Sequence, residues 1–246
     1  MLRYIIRRFL TAIPTLLVVA VLIFVLIRCI PGNPAQVMLS EDATNEEVAA
    51  MERKLGLDQP IFVQFIKWIS NAIRGDFGKS LYYNEPVLGI LAARLGPTML
   101  LVLYAMLIAT TLGVGLGVIA AVNRGHIIDQ IAMVISIVGI SMPGFWIGLN
   151  LVIFFSVKNP IFPSVGYVTV AEGGLSQALY YLTLPAVALG LQRSASIARV
   201  TRSSMLDVLG NDYIRTARSK GLGNKKIIGL HALKNAANPI ITQIGI

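Results

Sequence analysis

Four apolar runs, at residues 9–27, 98–122, 131–157 and 179–198, constrain this chain more than any other feature, and each holds at least 19 residues. A helix rising about 1.5 Å per residue needs about 20 residues to cross a hydrocarbon core about 30 Å thick. Inside a bilayer no water satisfies free backbone groups, so such runs fold as helices. Charged residues make up 13% of the chain and hydrophobic ones 55%, against about 25% charged in soluble domains. The expected class is therefore an all-α polytopic membrane protein with four complete spans. A fifth run begins at Pro239 and has about two helical turns by Ile246. The sequence is accordingly expected to be carboxyl-terminally truncated within that span.

Charge orients the runs. Arg3, Arg7 and Arg8 precede the first, which is longer than the roughly 7–15 residues of a signal-peptide core and lacks a small-residue cleavage site. It reads as an uncleaved span. Segment 31–97 holds eight acids and six bases, whereas 193–238 holds nine bases and two acids. Basic segments stay cytoplasmic, which predicts a cytoplasmic amino terminus, 31–97 and 158–178 outside, and 123–130 and 193–238 inside. The expected organisation is 1–30 as amino terminus and first span, 31–97 as an extracytoplasmic helical segment, and 98–246 as the membrane core, with a cytoplasmic segment at 199–238. The net charge of +9 is the usual basic excess of such loops. No basic patch is interleaved with the aromatic residues that would stack nucleic-acid bases.

Within the outer segment, Thr44 and Glu47 have capping-box spacing for a helix ending at Gly56. Ile61, Phe62, Phe65, Ile66, Trp68, Ile69 and Ile73 predict an amphipathic helix that lies on the membrane surface or packs on a partner. Catalytic and metal chemistry find no footing. The runs contain no Asp or Glu between their ends, His126 and His231 fall in predicted loops, and Cys29, the sole cysteine, follows Arg28. Such a set offers no proton relay or zinc site. Gly75-Asp76-Phe77-Gly78-Lys79-Ser80 ends like a phosphate-binding loop, yet Ile73 stands where the first glycine belongs. No cofactor is expected.

Within the runs, Gly113, Gly115 and Gly117 permit close helix approach, and Pro143 with Gly144 predicts a kink in the third. Ser141, Met142 and Pro143 are the candidate pathway or hinge residues. On the inner side, Asn211 and Asp212 open a short helix that stops at Gly221, and a helical pattern resumes at Lys225. Two short helices between spans make a knob that docks into a partner's groove or, alternatively, a solvated basic loop.

The spacing of Ala217, Gly221 and Leu233 resembles the EAA loop of bacterial ABC importer permeases, the segment that contacts the ATPase. Arg215 and Thr216 stand where that pattern has Glu and Ala, His231 where it has Ile, and Lys234 where it has Pro. These departures resemble the branch serving dipeptides, oligopeptides, glutathione and nickel. Met1-Leu2-Arg3-Tyr4, Leu55-Gly56-Leu57-Asp58-Gln59-Pro60, Gly75-Asp76-Phe77-Gly78, Ser141-Met142-Pro143 and Arg215 to Gly221 are similar to the same branch.

The resemblance implies the type I importer transmembrane fold and an inner-membrane permease subunit that is not itself an enzyme. Its implied partners are a second permease, usually of different sequence in this branch, two ATP-binding subunits and an extracytoplasmic solute-binding protein that 31–97 faces. Asp212, Tyr213, Thr216, Ala217, Lys220, Gly221 and Leu222 would form the ATPase-coupling surface, and the cargo would be short peptides, with glutathione or nickel complexes as alternatives. Two readings of other classes remain from the residues alone: a non-transporting membrane scaffold and an ion-coupled carrier.

Overall fold

A computed structural model describes residues 2–39, 43–80 and 82–246. Met1, Glu41 and Asp42, which enter the family likeness and the charge bias, lie outside the described residues. The chain forms two compact units, Met1–Leu95 and Gly96–Ile246.

In the first unit, α1 (Leu2–Cys29) runs through Pro14, and the short α2 (Pro34–Met38) follows. Asn33 caps α2 by accepting the Ala35 N–H at 3.0 Å, and its amide donates to Glu52 at 2.6 Å, tying α2 to α3 (Asn45–Leu55). The expected capping box opens α3: Glu47 donates its N–H to the Thr44 hydroxyl, and Thr44 donates its N–H to the Glu47 carboxylate at 2.8 Å. These Thr44 contacts hold the Glu47 carboxyl below its ordinary pKa. Gly56 ends α3 at φ 69°, and the Leu57 N–H closes on the Glu52 carbonyl at 2.9 Å.

The amphipathic helix is α4 (Ile61–Ile73). One of its faces packs on α1, where Phe65 and Trp68 lie 5.3 and 5.9 Å from the buried Phe24 ring. Arg28 covers that ring at 5.1 Å, adding a cation–π contact to the aromatic cluster. The loop resembling a phosphate-binding turn is an Asx turn in which Gly78 donates its N–H to Asp76 at 2.9 Å, and Tyr82 and Tyr83 beyond it form a turn rather than a helix.

The long α5 (Val87–Val122) begins before the predicted span and continues through Pro97. In the second unit follow α6 (Ile127–Ser141), α7 (Gly144–Val152) with a π-helical extension to Lys158, and α8 (Val170–Leu209), broken at Gly174 near its start. The third apolar run is thus two helices bent by 98° at Met142–Pro143 rather than one kinked rod. Among the described residues, three helices are long and apolar enough to cross a membrane, or four if the bent pair is one span.

Small residues let α5 and α8 touch. A Cβ added at Gly113 would sit 2.7 Å from the Ile197 Cβ, one at Gly117 would sit 2.5 Å from the Thr201 Cβ, and one at Gly190 would sit 2.8 Å from Ile108. Residue numbers rise together along this seam, so the two helices run in the same direction and the bent pair carries the chain back between them. Gly115 takes no part: a Cβ there meets nothing within 4 Å, because it lies off the Gly113–Gly117 face.

Candidate functional site

The segment predicted to lie inside is a folded knob. Its first helix is α9 (Asp212–Ser219), where Asn211 stands at the cap without a side-chain hydrogen bond. Asp212 lies in the first turn and Arg218 in the last, each at the end of the helix dipole that favours its charge. The helix ends as expected at Gly221, whose φ is 80°. Leu222 donates to the Ala217 carbonyl at 3.2 Å and Gly221 to the Arg218 carbonyl at 2.9 Å, a Schellman turn that needs the left-handed residue. The chain then passes through α10 (Asn224–Lys226), a π-helical stretch Ile227–Leu233 and α11 (Ala237–Ile244).

The knob has its own core. Ile214, Ala217 and Ile227 are buried together, with Leu209 and Leu222 packed against them. Ala217, one of the expected coupling residues, is 9% exposed and packs with Ile214 and Ile227. Asp212, Thr216, Lys220 and Gly221 face outward, with Tyr213 on the rim, where its hydroxyl accepts from Asn235 at 3.1 Å. Behind the knob, Ala232, Ala236 and Ile240 pack on Met205 of α8 and Ala121 of α5. The knob therefore sits directly on two long helices and has a short mechanical path into them.

A buried ion pair fastens a third helix to the same place. Arg202 of α8 donates to both carboxylate oxygens of Asp129 in α6, at 2.5 and 2.7 Å, and Gly125 donates its N–H to the same carboxylate at 3.0 Å. Both residues fall in segments predicted to lie inside. Their partnership escaped the sequence because 73 positions separate them.

Ser141, Met142 and Pro143 meet at the bend. The Ser141 hydroxyl donates to the Ile137 carbonyl at 2.9 Å, Met142 is extended, and Pro143 precedes the first turn of α7. Gly144 lets Gln192 of α8 approach: a Cβ there would lie 2.8 Å from its amide oxygen. Two cavities flank the bend. One of about 560 Å³ is mostly apolar and reaches Met142, Trp146 and Leu112. The other, of about 700 Å³, runs between α5, α8 and α11 and includes Thr110, Gln192, Arg193, Ser196 and Gln243. Arg193, where the apolar run 179–198 and the basic segment 193–238 overlap, lies within α8, which continues to Leu209.

Long apolar helices with an inward-packed junction and a folded polar knob define a multi-pass helical membrane protein. The chain belongs to the family of binding-protein-dependent transport system inner membrane components, which matches residues 113–246, and the corresponding amino-terminal family matches residues 1–102. It is 42% identical over 243 residues to a probable peptide ABC transporter permease protein, y4tP, of Sinorhizobium fredii strain NGR234, covering 99% of this chain and 77% of that one. It is 39% identical over 246 residues to the glutathione transport system permease protein GsiC of Escherichia coli K12, covering 100% and 78%. The corresponding protein of Salmonella paratyphi A is 38% identical over the same length and coverage. The chain is thus a transport permease subunit of the inner membrane, and a scaffold without transport is not favoured.

Proposed function

We propose that this chain is one of two permeases in an ATP-driven importer of short peptides, a class that includes the tripeptide glutathione. The observation that carries the reading is near-40% identity along the whole chain to peptide and glutathione permeases. The amino terminus lies in the cytoplasm, segment 31–97 faces the solute-binding protein, and α5, the bent pair α6–α7 and α8 each cross the membrane once. The parallel course of α5 and α8 supports this count, because one crossing must separate two helices that run the same way. Charge bias and the Asp129–Arg202 pair, which joins two predicted inner segments, support the orientation.

One of two ATP-binding subunits meets the knob from the cytoplasm. The outward face of α9, with Asp212, Thr216 and Lys220, seats in the ATPase, while Ala217 and Leu222 hold the helix on Ile227. ATP-driven closure then pushes α5 and α8 through the Met205–Ala236 packing, and the bend at Ser141–Pro143 yields as the pathway changes its opening.

Thr216→Trp and Gly221→Val test this reading and its orientation together. The first overfills an outward contact, and the second strains the left-handed turn by about 1–3 kcal/mol. Both should leave membrane abundance normal, yet weaken ATPase co-purification and peptide uptake by about tenfold or more, equivalent to about 1.4 kcal/mol. Thr216→Ser should be silent. Wild-type ATPase retention and uptake in both bulky variants would refute the docking.

A further inference from the structure

Where the knob meets the two long helices, a pocket of about 320 Å³ carries charge of one sign. Its apolar lining includes Val122 of α5, Leu206 of α8 and Ile228, and its polar lining includes Arg124, Arg218 and Asn224. No acid lines it. Among the described residues the ion pairs are Asp129–Arg202 and Asp212–Arg215, so neither lining arginine has a carboxylate of its own. Asp129, the acid nearest Arg124 along the chain, is already held by two nitrogens of Arg202 and by the Gly125 N–H. The pocket thus sets two uncompensated guanidiniums beside an apolar wall. Guanidinium forks match the oxygens of a phosphate.

Depth indicates what carries that phosphate. The contacts of Gly113 with Ile197 and of Gly117 with Thr201 fix the register of α5 and α8, and on it Val122 is level with Leu206. Val122 ends the apolar run 98–122, whereas the run of α8 ends at residue 198, about 12 Å of helix before Leu206. The hydrocarbon boundary therefore falls at the pocket or just before it, and the pocket opens at the level of lipid headgroups. A basic pocket between spans at that level suits an anionic lipid. Arg218 is also free of the docking face. Asp212, Thr216 and Lys220 repeat every fourth residue along one side of α9, and Arg218, two positions from Thr216 and from Lys220, projects from the other side.

We infer that Arg124 and Arg218 bind the phosphate of an anionic phospholipid from the leaflet on the knob side. Val122, Leu206 and Ile228 meet the apolar part of the lipid next to its headgroup, a contact that a soluble phosphate cannot make. The lipid then bridges the end of α5 and the knob, whatever solute the protein carries.

The test titrates the purified complete transporter in detergent with dioleoylphosphatidylglycerol and with dioleoylphosphatidylcholine, whose choline cancels the phosphate charge, and counts bound lipid by native mass spectrometry. The wild type should bind the first phosphatidylglycerol about tenfold or more tighter than phosphatidylcholine, the scale of two basic contacts at a headgroup. Arg124→Gln together with Arg218→Gln should bring that ratio near one, and the corresponding pair of Lys substitutions should keep most of it. Arg53→Gln with Lys54→Gln, two exposed bases of α3 that do not line the pocket, should leave it unchanged. Equal binding of both lipids by the wild type, an unchanged ratio in the Gln pair, or an equal loss in the α3 pair would overturn the assignment. Displacement of the lipid by millimolar inorganic phosphate would overturn it too, by giving the site to a soluble anion. As a readout that needs no variant, phosphatidylglycerol with a photoreactive headgroup should label residues 121–124 or 218–228 of the wild type, and labelling confined to other residues would contradict the site.

Discussion

Asp129→Ala should destabilise the folded chain by about 2–4 kcal/mol, somewhat below the 3–5 kcal/mol typical of a buried pair that loses one partner. The discount reflects Arg202, whose side chain is 27% exposed and regains some solvation. Asp129 itself is 4% exposed and accepts three hydrogen bonds, so its removal leaves a guanidinium and the Gly125 N–H without their acceptor. Thermal unfolding of the purified protein should show the loss directly. Adding Arg202→Met should restore part of the stability, because two apolar side chains tolerate that site better than a lone charge. Equal unfolding temperatures for Asp129→Ala and wild type would show that the pair does not fasten α6 to α8.

Gly117→Leu should have a still larger effect. A single Cβ at this position falls 2.5 Å from the Thr201 Cβ and 2.6 Å from the Ala198 carbonyl oxygen. Those atoms belong to the wall and backbone of α8, so the clash is relieved only if the helices part. Extra methylenes in a packed interior cost about 1–3 kcal/mol, and a whole isobutyl group at a backbone contact exceeds that range. Folded protein recovered from membranes should fall sharply. Gly115→Ala, two residues away on an open face, should match wild type. The measurement is the monodisperse fraction on size exclusion. Equal recovery of Gly117→Leu and Gly115→Ala would show that the α5–α8 seam is not a structural contact.

Local signals were legible in the sequence and distant ones were not. The Thr44–Glu47 box and the left-handed turns at Gly56 and Gly221 follow from a few neighbouring residues, and each appears where its spacing put it. Pro143 announced a disturbance, but its size, 98°, depends on how α7 packs along α8 near Gly144 and Gln192. The three alternate glycines looked equivalent, and only a neighbouring helix could reveal that Gly115 faces away from it. Ala217 looked like a contact residue from its family likeness. Its three-residue spacing from Ile214 was the available sign that both sit on one buried face. Arg202 is counted among the bases of 193–238 because charge counting ignores packing, whereas it lies in an ion pair with Asp129.

The central claim is that this permease moves peptide with energy supplied by ATPase subunits through its knob. Trialanine uptake into proteoliposomes that hold the assembled transporter tests it most directly, with ATP on the knob side and solute-binding protein on the opposite side. The account predicts uptake that requires both ATP and the binding protein, persists when ionophores abolish ion gradients, and is lost in Thr216→Trp. Uptake that continues without the ATPase subunits and collapses with the ion gradient would contradict it.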